Sequence, residues 1–173
     1  MAKLHNYNGR YCETEYENAF LSFLEEAGWS YLPGSSLPHT SMRDVLYVDD
    51  MEYFLNKTNP DLTADEIQQI MDTVRLAGAE SDFATLHKVY GWMVNGIQFT
   101  PQSGLPIMVN LIDFENPEKN VFRAVNQFIV EYTNNGQTEN RRPDILLFVN
   151  GIPLCIVELK NPADGNATIY GAW

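Results

Sequence analysis

The chain has 173 residues, 45% of them hydrophobic and 20% charged, which suits a single packed domain, with or without a partial neighbour, and excludes an intrinsically disordered chain. A formal net charge of −12 argues against a free-standing DNA binder; it fits either a protein with other partners or a catalytic module whose DNA affinity comes from elsewhere. No apolar run approaches the ~18 residues of a membrane helix, residues 1–11 lack the apolar centre of a secretory signal, and Cys12 and Cys155 are too few for a disulfide framework, so a cytoplasmic setting is expected.

In chain order, Tyr16, Phe20, Phe23, Leu24 and Ala27 fall at helical spacing, which predicts a helix over about 14–27 ended by Gly28. Residues 29–32 read as a short extended piece before the Pro33-Gly34 break. A short helix is expected near 51–56. A longer one starts at Thr63, where Thr63-Ala64-Asp65-Glu66 forms a capping box and Ile67, Ile70, Met71, Val74 and Leu76 supply the apolar side. Ser81 is placed to cap a further helix reaching about Met93, so that residues from about 50 to 95 form a helical insertion. From Gly96 the pattern turns to period two and β-branched residues, and 97–99, 107–112 and 124–132 read as strands. Asn134-Asn135-Gly136 is a turn or loop. Two apolar runs then flank Asn150-Gly151, a strong hairpin signal. The expected architecture is a mixed α/β fold, a central sheet flanked by helices, in one domain spanning 1–173.

The second run of that hairpin is apolar until Glu158 and Lys160, which share a strand face with Leu154 and Ile156; Asp144 opens the first run. Charges beside a buried strand are costly unless paired or bound to an ion, and sequences tolerate them mainly at functional sites. Phosphodiester hydrolysis gives this set a purpose. Two converging carboxylates can hold Mg²⁺, which prefers oxygen ligands and lowers the pKa of bound water, while a lysine orients the attacking water or stabilises developing negative charge.

Hairpin register decides whether the acids meet. A strict two-residue loop would pair Asp144 with Val157 and point it away from Glu158. A three-residue loop, Val149-Asn150-Gly151 with a left-handed Gly151, would pair Phe148 with Ile152 and Asp144 with Ile156, making Asp144 and Glu158 diagonal neighbours on one face. That loop, or an equivalent one-residue bulge, is the expectation; a plain two-residue register throughout would rule out the metal site. His5, His39 and His87 show no zinc-ligand spacing.

These residues resemble the PD-(D/E)xK nuclease pattern and, more narrowly, the amino-terminal domain of the restriction (R, HsdR) subunit of type I restriction enzymes. The resemblance rests on Arg142-Pro143-Asp144, on Asn150-Gly151-Ile152-Pro153-Leu154 and on Val157-Glu158-Leu159-Lys160-Asn161-Pro162. Val125-Asn126-Gln127-Phe128 and the first helix, with Glu15-Tyr16-Glu17, Leu24 and Gly28-Trp29, extend it. It implies a restriction-endonuclease-like fold in which Asp144 and Glu158 are Mg²⁺ ligands, Lys160 is the catalytic lysine and Glu17 is a helix-borne acid that approaches the metal; Gln127 lies nearby with no role assigned. It also implies double-stranded DNA as substrate and the methyltransferase and specificity subunits of the complex as partners. The family's Gln-x-x-x-Tyr helix after the Glu-x-Lys strand is missing, as is any GxxxxGK[ST] phosphate loop, so ATP would act only through motor domains outside this chain and the chain reads as a fragment, incomplete at its C-terminus. The competing reading is a non-catalytic docking module that binds the partner subunits, which the acidic balance favours.

Overall fold

Helix α1 (Glu13–Glu26) buries Leu21 and Leu24, and half-buried Phe20 packs beside them. Phe23, expected on the same face, is 62% exposed, because the apolar stripe is centred one residue further round. Gly28, at φ +93°, ends the helix, with its N–H bonded to the Glu25 carbonyl and that of Trp29 to the Leu24 carbonyl. Strand β1 (Ser30–Pro33) follows. The chain then forms α2 (Val48–Thr58), α3 (Ala64–Gly78) and α4 (Phe83–Asn95), then β2 (Ile97–Phe99), β3 (Ile107–Val109), β4 (Phe122–Asn126), β5 (Val130–Asn134), β6 (Gln137–Arg141), β7 (Ile145–Val149) and β8 (Ile152–Val157). This computed structural model describes residues 13–37, 45–78, 83–102, 104–134 and 137–160. The Ser81 cap, the Asn135-Gly136 turn, Cys12, His5, His39 and the helix start near Asp164 lie outside the described residues.

Four strands make a mixed sheet in the order β1-β4-β7-β8, with β1 parallel to β4 and the other neighbours antiparallel; β2-β3 and β5-β6 are separate two-stranded pairs. The fold is therefore mixed α/β, as the pattern implied. One sheet face carries Ala124 and Ile145 against Leu21 and Leu24 of α1. The other carries Val125, Leu146 and Phe148 against Leu37 and Phe128, with the rings of Phe128 and Phe148 edge to face at 5.9 Å.

The helices α2 and α3 build a third core with Met51, Phe54, Leu55, Ile67, Ile70, Met71 and Val74, joined by Val109, Leu111 and Ile152. The capping box forms as expected. Thr63 Oγ1 accepts from the Glu66 N–H, and Glu66 Oε2 accepts from the Thr63 N–H at 2.8 Å. Glu66 also accepts from the Gln102 N–H at 2.8 Å, and these two backbone donors, first Thr63 and then Gln102, hold its carboxyl below the usual range. Leu76 is 70% exposed, and Ala77 takes the buried place expected of it.

The helical layer is fastened to the hairpin. The Tyr47 N–H donates to the Gly151 carbonyl at 2.9 Å, and a Cβ on Gly151 would meet the Tyr47 carbonyl oxygen at 2.1 Å. Arg123 on β4 donates to both oxygens of buried Asp50 on α2, its Nε–Oδ2 distance being 2.7 Å, and its guanidinium lies 5.3 Å from the centre of the Tyr47 ring.

Candidate active site

The hairpin turn has two residues, Asn150 and Gly151, both left-handed at φ +50° and +77°, and it pairs Val149 with Ile152. The three-residue loop favoured on sequence grounds is not formed. The extra residue is accommodated instead along β8. Phe148 pairs with Pro153 but Leu147 pairs with Cys155, which leaves Leu154 as a one-residue bulge. Beyond the bulge, Leu146 pairs with Ile156 and Ile145 with Val157. The ladder stops there; continued one step, that register would set Asp144 against Glu158, as directly opposed rather than diagonal neighbours on one face.

Val157 and Leu159 pack on the α1 side of the sheet with Ile145, so Glu158 between them points to the other side. Asp144 is held in place by two backbone partners. Its carbonyl accepts from the Gln127 N–H at 3.0 Å, and its Oδ2 accepts from the Leu159 N–H at 2.7 Å, where β8 runs past the end of the ladder. Burial raises the Glu158 carboxyl above the ordinary glutamate range, the Asp144 charge adds to that, and the cations of Lys160 and Arg141 oppose it. Asp144, Lys160 and Arg141 thus all act on the charge of Glu158. Arg141 was not singled out on sequence; its position three residues before Asp144 in the Arg141-Arg142-Pro143-Asp144 run was the available signal.

Glu17, on α1, accepts from Asn126 Nδ2 at 2.6 Å through one oxygen and from Gln127 Nε2 at 3.3 Å through the other. Tyr31 donates its hydroxyl to Asn126 Oδ1 at 3.1 Å, and burial, with Glu17 and Glu25 nearby, raises its pKa and keeps that proton in place. Among the described residues no three His, Cys, Asp or Glu side chains form a metal-holding group, so Glu17 does not join Asp144 and Glu158 in such a cluster. A cleft of about 360 Å³ opens beside this end of the sheet, between Gly34-Ser35 and Asn126-Gln127 with Arg142 on its wall. Gly34 is there because a Cβ would meet the Asn126 carbonyl oxygen at 2.4 Å.

Fold and site together define a mixed α/β domain with two acids and two cations electrostatically coupled near the end of the β7–β8 ladder. Residues 10–173 match the family model described as Type I restriction enzyme R protein N terminus, and the chain belongs to that family. It is 36% identical over 156 residues to the "Putative type I restriction enzyme MjaIXP endonuclease subunit" of Methanocaldococcus jannaschii, an alignment covering 84% of this chain and 15% of the relative. It is 31% identical over 175 residues to the type I restriction enzyme HindI endonuclease subunit of Haemophilus influenzae, covering 93% of this chain and 16% of the relative. The chain thus spans about one sixth of the length of these curated relatives. No helix among the described residues is long and apolar enough to cross a membrane.

Proposed function

We propose that this region is the DNA-cleaving module of a type I restriction endonuclease subunit, hydrolysing phosphodiester bonds with Mg²⁺ held by Asp144 and Glu158 and with Lys160 as the catalytic lysine. The observation that carries the reading is the bulged register, which, continued one step past Ile145 and Val157, would bring the two acids opposite each other, with Lys160 acting on the charge of Glu158. Mg²⁺ fits the donor set: two carboxylates supply hard oxygen ligands, and such an ion keeps several waters rather than requiring a third acid. When bound, it supplies Lewis acidity and a water of lowered pKa.

The chain's own groups divide the remaining work. The Leu159 N–H engages one oxygen of Asp144 and would leave the other to the cation. Glu158 must shed its proton to bind a cation, and Lys160 and Arg141 favour that loss. The Lys160 ammonium can hold the attacking water or offset charge on the phosphoryl oxygens as the P–O bond breaks. Arg141 and Arg142 bring positive charge to a DNA backbone that the net −12 chain would otherwise repel. In this reading the partners are double-stranded DNA and the methyltransferase and specificity subunits, ATP is consumed by motor domains elsewhere in the subunit, and the complex works in the cytoplasm.

A second reading, a docking module without catalysis, is favoured by one observation: α4 exposes an apolar stripe of Phe83, Leu86, Tyr90 and Val94. Two measurements separate the readings. Calorimetric Mg²⁺ titration of this chain should show binding that Asp144→Asn and Glu158→Gln each weaken by roughly tenfold or more, and that Lys160→Ala leaves nearly intact. In a complete endonuclease subunit, Asp144→Ala and Lys160→Ala should each abolish DNA cleavage. Wild-type cleavage by both variants would leave the docking reading in place.

A further inference from the structure

We propose that Glu17 serves this site as a positioning residue acting through Gln127, and not as a ligand of the metal. The inference rests on the reading of Asp144 and Glu158 as the metal-holding pair. It starts from a geometric oddity at the end of β4. Consecutive residues of a regular strand point to opposite faces. Asn126 pairs with Ile145 and so points toward α1, where it meets Glu17. An extended Gln127 would point the other way, yet its amide also reaches Glu17. The backbone makes this possible by turning left-handed at Gln127, φ +54°, a conformation uncommon for a residue other than Gly, Asn or Asp.

That turn has two consequences. Both oxygens of Glu17 are engaged by amide donors, one from each neighbour. The turned backbone also delivers the Gln127 N–H to the Asp144 carbonyl at 3.0 Å. Asp144 is thereby gripped from both adjoining strands, its backbone by the end of β4 and its side chain by the Leu159 N–H beyond β8. Glu17 holds the Gln127 side chain, the side chain stabilises the left-handed turn, and the turn fixes the strand that bears Asp144. Strained backbone of this kind persists where the surroundings over-determine it, and it gathers at functional sites.

A rescue experiment tests the chain of contacts. Glu17→Ala, Gln127→Gly and the double variant are compared with the wild-type chain by Mg²⁺ calorimetry and by NMR amide exchange at position 127. Glu17→Ala is expected to weaken Mg²⁺ binding roughly tenfold, the loss typical of removing an outer partner of a ligand, and to speed exchange of the residue 127 amide by a similar factor. Gln127→Gly should weaken binding less than Glu17→Ala does, because glycine adopts a positive φ without strain though nothing locks it there. With glycine at 127, removing Glu17 should cost nothing further, so the double variant should match Gln127→Gly. A double variant as weak as Glu17→Ala would mean that Glu17 touches the metal directly, and would overturn the proposal. Gln127→Val supplies an independent arm: a β-branched side chain resists positive φ, so Mg²⁺ binding should weaken with Glu17 intact, and unchanged binding would refute the mechanism. If wild type and Asp144→Asn take up Mg²⁺ identically, the metal reading fails instead; the positioning role is then decided by amide exchange, and equal rates in wild type and Glu17→Ala overturn it.

Discussion

Replacing Asn150 with alanine should cost this domain a large share of its stability. Asn150 is 1% exposed and left-handed. Its Oδ1 accepts from the Val121 N–H at 2.7 Å, and its Nδ2 donates to the Leu111 carbonyl at 2.9 Å and to Asn120 Oδ1 at 2.7 Å. Alanine removes all three bonds and keeps only the backbone bond from its own N–H to the Val121 carbonyl. The Leu111 carbonyl is fully buried and loses its partner at a cost of about 1–3 kcal/mol; the two half-buried partners add about 0.5–1 kcal/mol each. A left-handed alanine adds roughly 1 kcal/mol. The sum is about 3–6 kcal/mol, comparable to the whole stability of a marginal domain. Urea unfolding, followed by far-UV circular dichroism and by tryptophan fluorescence, measures it as a fall in midpoint at constant slope. Asn150→Gly isolates the conformational part and should be about 1 kcal/mol less harmful than Asn150→Ala. A cost below about 1 kcal/mol for Asn150→Ala, with coincident transitions, would refute the claim that this side chain ties the turn to its two neighbouring segments.

The raised carboxyl of Glu158 sets a pH dependence with a definite sign. The folded chain binds that proton more tightly than the unfolded chain does, so Glu158 lowers stability as pH climbs from the ordinary glutamate range through its raised value, while Mg²⁺ affinity rises over the same interval. Melting temperatures of Glu158→Gln should lack that decline, and Lys160→Met should move the interval to higher pH; a shift to lower pH would contradict the assigned causes. Asp50→Ala strands the Arg123 guanidinium, which is only 17% exposed, and should destabilise the fold by about 3–5 kcal/mol, whereas the Asp50→Leu/Arg123→Met double variant should recover most of that loss in the same denaturation assay.

Local chemistry was readable in the chain and distant chemistry was not. Thr63 and Glu66 announced the start of α3 because a capping box is complete within four residues. The second duty of Glu66, receiving the Gln102 N–H, joins segments 36 residues apart and leaves no local pattern. Asn150-Gly151 announced the hairpin, yet the same dipeptide serves several loop lengths, so the three-residue loop was preferred where the protein uses a tight turn plus a bulge at Leu154. Residues 124–132 read as continuous strand because nothing in Val-Asn-Gln-Phe signals a left-handed Gln127, which is held from another element. The strand Gln137–Arg141 was missed because Gln-Thr-Glu-Asn-Arg has no apolar alternation. Residues 107–112 shorten to a three-residue strand, Ile107–Val109, because two residues on, the Leu111 carbonyl is drawn off to Asn150. The residues of the proposed site, Asp144, Glu158 and Lys160, stand out in the sequence as charges interrupting apolar runs. Glu17 was legible only as an acid on a helix, since its amide partners lie more than a hundred residues away.

The β7–β8 pair behaves like tweezers riveted at the bend. Asn150 and Gly151 are pinned to three other segments, whereas the prongs end about 17 Å away, five residues at the usual rise, where the ladder stops and the Asp144 side chain supplies the last link. Any fraying of this hairpin is therefore expected to start at the tips, parting the Leu159 N–H from Asp144 first, while the bend, moored to the segments of Tyr47, Leu111 and Val121, keeps its shape.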